Sequence, residues 1–347
     1  MLKNLLHKLR RSPFDFPVSG GGTIGDIVCA PLDRAGLELA VIDLGARNGM
    51  YHVPASYAQR TKLIGFEPNP KEHEKLTSGT TDMNKTGAVA PAFRRTEYHR
   101  FAAWRTRERR QLYITSVTGG STLMGESVPA ITERMYLDRS SRKQRGLSYA
   151  QMTKVVATES VECVTLDEAI ADGTVVDFLK MDVEGAELAC LQGAAKLLES
   201  HRVLLIYTEF VALPYYHGVH DVLGAQHLFL NDRGYRLIDF EFRHPTYRRG
   251  PRDLPESADR RMLHAGDAIF VLDPDRVALD PLMKQRLAAI LFVFGFSSYA
   301  LSLLDETGLT PKADIERIES SVRRTMTTRR LALMWKQLPA KVMNAFS

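Results

Sequence analysis

Cysteine is scarce in this chain of 347 residues. The three cysteines, Cys29, Cys163 and Cys190, lie far apart and form no C-x-x-C pair. An odd number at such spacing argues against a disulfide framework and against a four-ligand zinc site, and it is typical of a protein of the reducing cytoplasm. We expect no secretory signal, because residues 1–11 are basic and lack a long apolar run.

Acidic residues are missing from both ends of the chain. Residues 1–11 carry a charge of +4 and residues 320–347 carry +6, with no Asp or Glu in either segment, and residues 94–154 carry a further +8. Since the net charge of the chain is +5, the remainder carries −13. The basic segments are expected to be solvated surface, or to attract phosphate, an anionic polysaccharide or the inner face of an acidic membrane.

Apart from these segments the composition is ordinary, with 44% apolar and 25% charged residues, which excludes a disordered or collagen-like chain. Apolar runs predict buried strands at 38–44, 62–66, 175–181, 203–207, 235–240 and 268–272. Weaker or antiparallel strands are expected at 98–104, 111–115 and 161–165. Helices are predicted at 70–78, 166–171, 186–198 and 219–233. Strands alternating with helices favour an α/β fold with a doubly wound, mostly parallel sheet, whose ligands bind beyond the carboxyl ends of the strands.

Acids follow the first two predicted strands. The first strand runs into a loop that is not G-x-G-x-x-G, because an acid replaces the first glycine. This disfavours a pyrophosphate and favours a cofactor with a positive charge, so S-adenosylmethionine fits better than NAD. An acid after the second strand suits a ribose diol. The candidate cofactor-binding residues are Asp43, Gly45, Ala46, Asn48, Gly49, Glu67 and Pro68.

Three further acids follow the later strands. Asp182 and Glu184 come after the strand at 175–181, and Glu209 comes after the strand at 203–207. We expect them to surround an acceptor hydroxyl, with Asp182 and Glu209 as the first candidates for a general base and Glu184 next, or to bind a divalent metal. Asp182 is also expected to contact the cofactor. Carboxylates alone do not select a metal, so no metal site is assigned, and one or two of these acids are expected only to orient loops.

Five stretches, VIDLGARNG, IGFEPNP, VTLDEAI, VVDFLKMDVEGAELACLQGAAKLL and DAIFV, resemble the FkbM family of S-adenosylmethionine-dependent methyltransferases over about residues 36–273. The block KMDVEGAE is the most distinctive of them. The resemblance implies a class I methyltransferase fold and O-methylation of sugars, polysaccharides or natural-product hydroxyls. It places Asp43, Gly45 and Gly49 in the cofactor loop and makes Glu67 the ribose acid. It also suggests that Ser121 contacts the cofactor or the acceptor.

The chain departs from the family pattern at two places. Arg47 puts a bulky cation into the cofactor loop, and we expect it to point away because it would repel the sulfonium of the cofactor. Residues 133–154 form a long basic insertion. It is interpreted either as a lid that recruits a negatively charged acceptor or as a disordered surface loop.

These patterns divide the chain into a basic lead-in at 1–35, a methyltransferase domain at 36–273 and a helical appendage at 274–347. Residues 287–304 are uncharged, at the lower limit of length for a membrane span. Because Gly295 interrupts them, we predict two packed helices at 281–294 and 298–306 in preference to a span. The acid-free end beyond them is a candidate for docking on a membrane surface or a partner.

The leading functional hypothesis is O-methylation of a saccharide or glycoconjugate, with an anionic acceptor attracted by the basic segments. An RNA methyltransferase is the second hypothesis. It is disfavoured because no N-P-P-Y-like block follows the central strand, and because Asp182 and Glu184 would face a phosphate backbone. The third is a non-catalytic adaptor with a retired methyltransferase body, against which the intact acids at the strand ends argue.

Overall fold

The computed structural model describes residues 12–85, 87, 90–128, 149–212, 216, 223–242, 263 and 265–337. Residues 1–11 and 338–347 at the two basic ends, and residues 133–148 of the predicted insertion, lie outside this range. The chain divides into two compact units. The first contains Leu39–His52 and Ala58–Ala278, and the second contains Leu2–Glu38, Val53–Tyr57 and Leu279–Ser347.

The described strands all belong to the first unit. In chain order they are β1 Leu39–Leu44, β2 Thr61–Phe66, β3 Arg95–His99, β4 Ala102–Ala103, β5 Glu108–Thr115, β6 Val155–Val164, β7 Val176–Met181, β8 Val203–Val211, β9 Tyr235–Phe242 and β10 Ala265–Leu272. Seven of them form one sheet in the order β3-β2-β1-β7-β8-β10-β9. The first five strands in this order are parallel, and β10 lies antiparallel between β8 and β9.

The described helices are distributed over both units. They are α1 Ile24–Arg34, α2 Ala55–Ala58, α3 Pro70–Thr77, α4 Asp82–Lys85, α5 Tyr149–Met152, α6 Leu166–Ala169, α7 Glu187–Gln192, α8 Ala195–Glu199, α9 Leu223–Asn231, α10 Pro281–Phe294, α11 Ser297–Thr307 and α12 Lys312–Gln337. Single 3-10 turns lie at Pro13–Asp15 and Thr118–Gly120.

The central strands β1, β7, β8 and β10 are buried along their whole length. Continuous apolar runs are the pattern expected of strands covered on both faces, so the predicted α/β fold with a mostly parallel sheet is confirmed. A carboxylate in such a strand needs a partner. The Asp177 carboxylate, on β7, accepts a hydrogen bond of 2.7 Å from the Ala40 backbone N–H on β1.

Two elements that the sequence predicts as continuous are divided in the structure. The helix predicted at 186–198 is divided into α7 and α8 around Gly193. A Cβ at Gly193 would overlap the Trp104 carbonyl oxygen. The absence of a side chain at this position therefore lets the backbone at Trp104 pass close to Gly193. The weak strand predicted at 98–104 is also divided, because its two halves join different sheets as β3 and β4.

A small second sheet has the order β4-β6-β5. Its apolar side chains, among them Trp104, Leu112 and Cys163, pack with Ala186 and Ala189 at the start of α7. Past the end of β5 the chain turns back, and the backbone groups of Tyr113 and Thr122 exchange two hydrogen bonds of 2.9 and 3.1 Å. This return carries Ser121 to the side of the large sheet where the strand-end loops lie.

The second unit brings together the lead-in and the helical appendage, which the sequence patterns place in separate regions. The predicted pair of helices is confirmed as α10 and α11, with Gly295 at φ 88° between them. The buried Gln285 amide on α10 donates to the Val28 carbonyl of α1 at 2.7 Å and to Thr310 Oγ1 at 3.1 Å. Across the described ranges, no helix combines the length and the apolar character that a membrane span requires.

Candidate active site

A cavity of about 290 Å³ opens at the carboxyl ends of β1, β2 and β7. This volume is close to the lower end of the roughly 300–1000 Å³ typical of small-molecule sites. Its walls come from the loops that follow those strands and from the turn at 118–123. The predicted site residues that line it are Gly45, Asn48, Gly49, Glu67, Pro68, Ser121, Asp182 and Glu184.

The loop after β1 is shaped by glycine. Gly45 has φ 77°, and a Cβ there would overlap the Asp182 carbonyl oxygen, so the position requires glycine both for its conformation and for the close approach of two chain segments. The backbone N–H groups of Gly45 and Ala46 both lie 3.1 Å from the Phe66 carbonyl oxygen, their shared acceptor. The loop is therefore tied to the end of β2, where Glu67 begins.

Glu67 is buried at the cavity wall. Its Oε1 accepts a hydrogen bond of 2.9 Å from the Asn69 backbone N–H, and Asn69 in turn caps the N-terminus of α3. Burial raises the pKa of Glu67 to about 7, although the Asn69 hydrogen bond opposes the shift. At neutral pH this carboxyl therefore changes protonation readily, which matters for any diol that it binds.

Cofactor affinity should consequently depend on the protonation of Glu67. Between pH 6 and pH 8 the ionised fraction of a carboxyl with a pKa of about 7 rises about tenfold. Only the ionised form accepts hydrogen bonds from both diol hydroxyls, so the dissociation constant for S-adenosylmethionine should fall about tenfold over that range. Titration calorimetry at pH 6, 7 and 8 measures it.

Glu67→Gln should weaken binding and remove this part of the pH dependence, since the amide does not ionise. The difference between wild type and variant isolates Glu67 from the titration of the cofactor itself. Glu74→Gln is the matched control, because Glu74 is an exposed residue of α3. An unchanged pH dependence in Glu67→Gln would contradict the assignment of Glu67 as the ribose acid.

Asp43 lies behind the cavity wall. It is 1% exposed, and its Oδ1 lies 3.0 Å from the Nζ of Lys180. The two residues are direct neighbours in the β1–β7 register, and the Lys180 ammonium also donates to the Gly45 carbonyl at 3.3 Å. Asp43 and Ala46, both predicted to bind the cofactor, do not line the cavity, whereas Lys180 does. The Asp43 carboxylate therefore influences the cavity by holding the Lys180 ammonium at its wall.

The three predicted catalytic acids come together. One carboxylate oxygen each from Asp182, Glu184 and Glu209 lies within 4.8 Å of the other two. Glu184 adopts φ 55°, and its carbonyl accepts a hydrogen bond of 2.7 Å from Thr122 Oγ1. Such a group of oxygens suits either an acceptor hydroxyl or a hard divalent cation.

Glu187 holds the loop that carries two of these acids. Its carboxylate accepts hydrogen bonds of 3.0 Å from the backbone N–H groups of Val183 and Gly185. Burial raises the pKa of Glu187 to about 7. Because both oxygens are occupied by this loop, Glu187 fixes the backbone on either side of Glu184.

Arg47 lines the cavity, and its guanidinium is held by two carboxylates, so the expectation that it points away from the cofactor stays a prediction. Its guanidinium lies 3.2 Å from the buried Glu72 carboxylate and 2.7 Å from the Asp82 carboxylate. Lys75 adds a further contact of 2.8 Å to Glu72. The two acids compensate the cation, which is how the loop accommodates an arginine beside a site for a positively charged cofactor.

The polar atoms of the cavity fit S-adenosylmethionine. Asn48 Oδ1 and the Tyr51 hydroxyl are buried and have no hydrogen-bond partner among the residues that the structure describes. An amide oxygen in this position can accept a hydrogen bond from the cofactor's ammonium group. Glu67 remains available for the ribose diol, and the apolar side chains of Phe66 and Phe101 line the same cavity.

Several residues of the site were missed from the sequence: Lys180, Asn69, Tyr51 and His52. Lys180 is part of the KMDVEGAE block, and its position on a buried strand was a usable signal, since a buried lysine requires a carboxylate partner. His52 follows the cofactor loop directly, and no spacing marked it. Glu209 was predicted correctly as a neighbour of Asp182, although it is not among the residues that line the cavity.

Comparison with solved structures returns methyltransferases with low similarity. Magnesium protoporphyrin IX methyltransferase from Synechocystis, solved with bound S-adenosylmethionine, has 10% identity over 72% of this chain and 77% of its own, with a TM-score of 0.29. Precorrin-6y C5,15-methyltransferase from Geobacter metallireducens has 12% identity over 71% and 88%, with a TM-score of 0.28. A TehB-like methyltransferase from Corynebacterium glutamicum has 11% identity over 78% and 97%, with a TM-score of 0.29.

A search of curated proteins returned no match. The family model of the FkbM methyltransferase domain matches residues 43–237, more than half of the chain. This range begins at the acid of the cofactor loop and includes Glu67, the KMDVEGAE block and Glu209. The seven-stranded sheet, with β10 antiparallel among parallel strands, is a class I methyltransferase fold. The chain therefore belongs to the FkbM family of S-adenosylmethionine-dependent methyltransferases.

Proposed function

We propose that this methyltransferase acts on a hydroxyl group of a saccharide or a related glycoconjugate. The observation that carries the proposal is the convergence of Asp182, Glu184 and Glu209 within 4.8 Å of one another. Carboxylates are the side chains that accept hydrogen bonds from sugar hydroxyls, and three together can fix one hydroxyl in one orientation. A phosphate backbone would be repelled by the same cluster, which counts against RNA.

The carboxylates act by positioning. Bound S-adenosylmethionine supplies an electrophilic methyl group on a sulfonium. Asp182 and Glu209, with Glu184 beside them, orient the acceptor oxygen and draw electron density along its O–H bond. Holding reactants in line supplies a large part of the rate of a displacement reaction. The Lys180 ammonium, 3.9 Å from Asp182 Oδ2, limits the repulsion within the cluster.

The charges around the site also limit the charge that the acceptor can carry. The acid cluster favours a neutral polyol at the reacting hydroxyl. An anionic part of the acceptor would then lie elsewhere, near the basic segment 94–154. In the described part of that segment Arg107 is paired with Glu162 and Glu168, while Arg110 stacks on Trp104 at 4.2 Å. We also propose a cytoplasmic location, which fits an enzyme that depends on S-adenosylmethionine. The basic ends of the chain are proposed to dock on a membrane surface.

The test is methyl transfer from radiolabelled cofactor to two kinds of acceptor in parallel. One is a panel of p-nitrophenyl glycosides with an envelope glycan fraction, and the other is total RNA. We expect label in the sugars, as a methyl ether that survives mild alkali and that mass spectrometry places on a ring hydroxyl. Label confined to RNA would refute the proposal in favour of the second hypothesis. Binding of the cofactor without transfer to either acceptor would favour an adaptor.

The same assay after dialysis against EDTA separates the two uses of the carboxylates. Activity that persists without metal means that they contact the hydroxyl directly. Activity that is lost, and is restored by Mg²⁺ or Mn²⁺ alone, assigns the cluster to a divalent cation. Either result is compatible with O-methylation, so the experiment decides how the cluster works and leaves the reaction class unchanged.

A further inference from the structure

A hydroxyl that becomes a methyl ether must lose its proton, and the strand register indicates where that proton can go. Asp43 on β1 is paired in register with Lys180 on β7, and Lys180 is paired with Tyr207 on β8. These three residues form one row across the sheet. Since strand side chains alternate between faces, Asp182 and Glu209, each two residues further along, lie on the same face as this row.

His52 lies over the end of this row. Its imidazole ring is 5.1 Å from the Tyr207 ring and 6.4 Å from the Phe178 ring, measured between centroids. Because Phe178 precedes Lys180 by two residues on β7, both ring contacts place the imidazole above the face that carries the acids. His52 is also exposed and lines the cavity that Lys180, Asp182 and Glu184 line.

The ring nitrogens of His52 are available to a ligand. Within the described ranges neither nitrogen has a hydrogen-bond partner from the protein, and the ring lies against the Tyr207 and Phe178 rings. Because His52 is exposed, water can occupy both ring nitrogens in the free enzyme, and a substrate can displace that water. A ring that lies against aromatic side chains and lines the cavity is therefore placed to contact the substrate.

We propose that His52 is a further catalytic residue of this enzyme: it contacts the acceptor and takes the proton of the hydroxyl that Asp182 orients. This rests on the proposed O-methylation. As the oxygen–carbon bond forms, the carbon–sulfur bond of the cofactor breaks and leaves neutral S-adenosylhomocysteine. The proton moves from the hydroxyl to an imidazole nitrogen and then to solvent, so no further reactant is needed.

The surrounding charges suit this task. Although His52 is exposed to solvent, the protein around its ring desolvates the imidazolium, and this desolvation, followed by the Lys180 ammonium, lowers the pKa of His52 from its ordinary value of 6.5. At neutral pH the free enzyme therefore holds a neutral imidazole. The Asp43, Asp182 and Asp267 carboxylates oppose that shift. Once the ring has taken a proton, the same carboxylates stabilise the imidazolium. Tyr207 is a further titratable group that lies against the ring, at 5.1 Å between centroids. A base that is neutral at the working pH is the form that general-base catalysis requires.

The test uses His52→Ala and His52→Gln in the full chain, with p-nitrophenyl glycosides as the acceptor probe. General-base removal lowers kcat by about 100-fold or more, and both variants should show this loss with unchanged affinity for S-adenosylmethionine. Added imidazole should raise kcat of His52→Ala by about tenfold or more, because it can occupy the space that the missing ring vacates. The increase should be smaller for His52→Gln, whose side chain fills part of that space. Thermal unfolding followed by circular dichroism verifies that each variant is folded.

The pH profile is the second measurement. In the wild type kcat/KM for the acceptor should fall on the acid side with an apparent pKa below 6.5, and this limb should be absent from both variants. His201→Asn is the control, since His201 precedes β8 at the opposite end of the sheet, and it should retain wild-type kcat. The proposal is overturned if folded His52→Ala keeps the wild-type rate and profile, or if its lost rate is not rescued by imidazole. A wild-type enzyme that methylates no hydroxyl overturns the proposed function and this inference together.

Discussion

Asp182→Asn is expected to lower kcat for methyl transfer by about 100-fold or more while the affinity for S-adenosylmethionine changes by less than about threefold. The amide keeps the size of the side chain but removes the charge that orients the acceptor hydroxyl. Asp182 is also the member of the acid cluster that lies 3.9 Å from the Lys180 ammonium, so the change disturbs the charge balance of the site. Single-turnover rates measure the chemical step, and calorimetry measures cofactor binding.

Asp172→Asn provides the matched control for this change. Asp172 is an exposed residue in the turn before β7, at the opposite end of the strand that leads to Asp182, and its substitution should leave both quantities unchanged. Full activity in Asp182→Asn would remove this carboxylate from the catalytic machinery. A loss of cofactor affinity as large as the loss of kcat would make Asp182 a cofactor ligand instead.

Gly45→Ala should abolish cofactor binding and destabilise the protein by about 3 kcal/mol or more. The methyl group would meet the Asp182 carbonyl oxygen, and the alanine would also have to adopt φ 77°. The loop after β1 then has to move away from the start of the acid-bearing loop, which separates the cofactor site from the acceptor site. Urea unfolding measures the stability, and calorimetry measures the binding.

Gly79→Ala isolates the steric part of this effect. Gly79 has φ 68°, close to that of Gly45, but nothing lies within 4 Å of the position of its missing Cβ. Its substitution should cost only the conformational penalty of about 1 kcal/mol and should leave cofactor binding intact. Equal destabilisation by the two substitutions would show that the contact between Gly45 and Asp182 does not constrain the loop.

Local signals were sufficient for some elements. The helix pair in the second unit was predicted to within one residue at each end. Its first helix has Asp280 as N-cap, a proline at its first position, and Gly295 in the left-handed conformation at its end. These are interactions between residues close in sequence, so a short window contains all the information. The division of 186–198 into α7 and α8 was not predicted, because its cause, the Trp104 carbonyl, is distant in sequence.

The acid cluster was also within reach of the sequence, for a geometric reason. Adjacent parallel strands end at one edge of the sheet, so acids that directly follow them must lie close together. Asp182 and Glu184 satisfy this condition. Glu209 lies within β8, which is longer than predicted, but it comes directly after the last residue of β8 that pairs with β7, and the three acids converge. The rule does not determine how deeply an acid is buried. Asp43 is the residue before the last of β1, and it lies behind the cavity wall because its place in the register puts it beside Lys180.

The sequence by itself determined the family, the order of the strands along the chain, and the edge of the sheet at which the cavity opens. These depend on patterns within single segments and on residues next to strand ends. Tertiary structure alone decided which carboxylates face the cavity, which cations balance them, and that His52 lies over Tyr207. It also joined the residues before β1 to the last three helices in one unit. The physical reason is the same in each case, since burial and charge pairing depend on neighbours that only strand register and packing bring within a few ångströms.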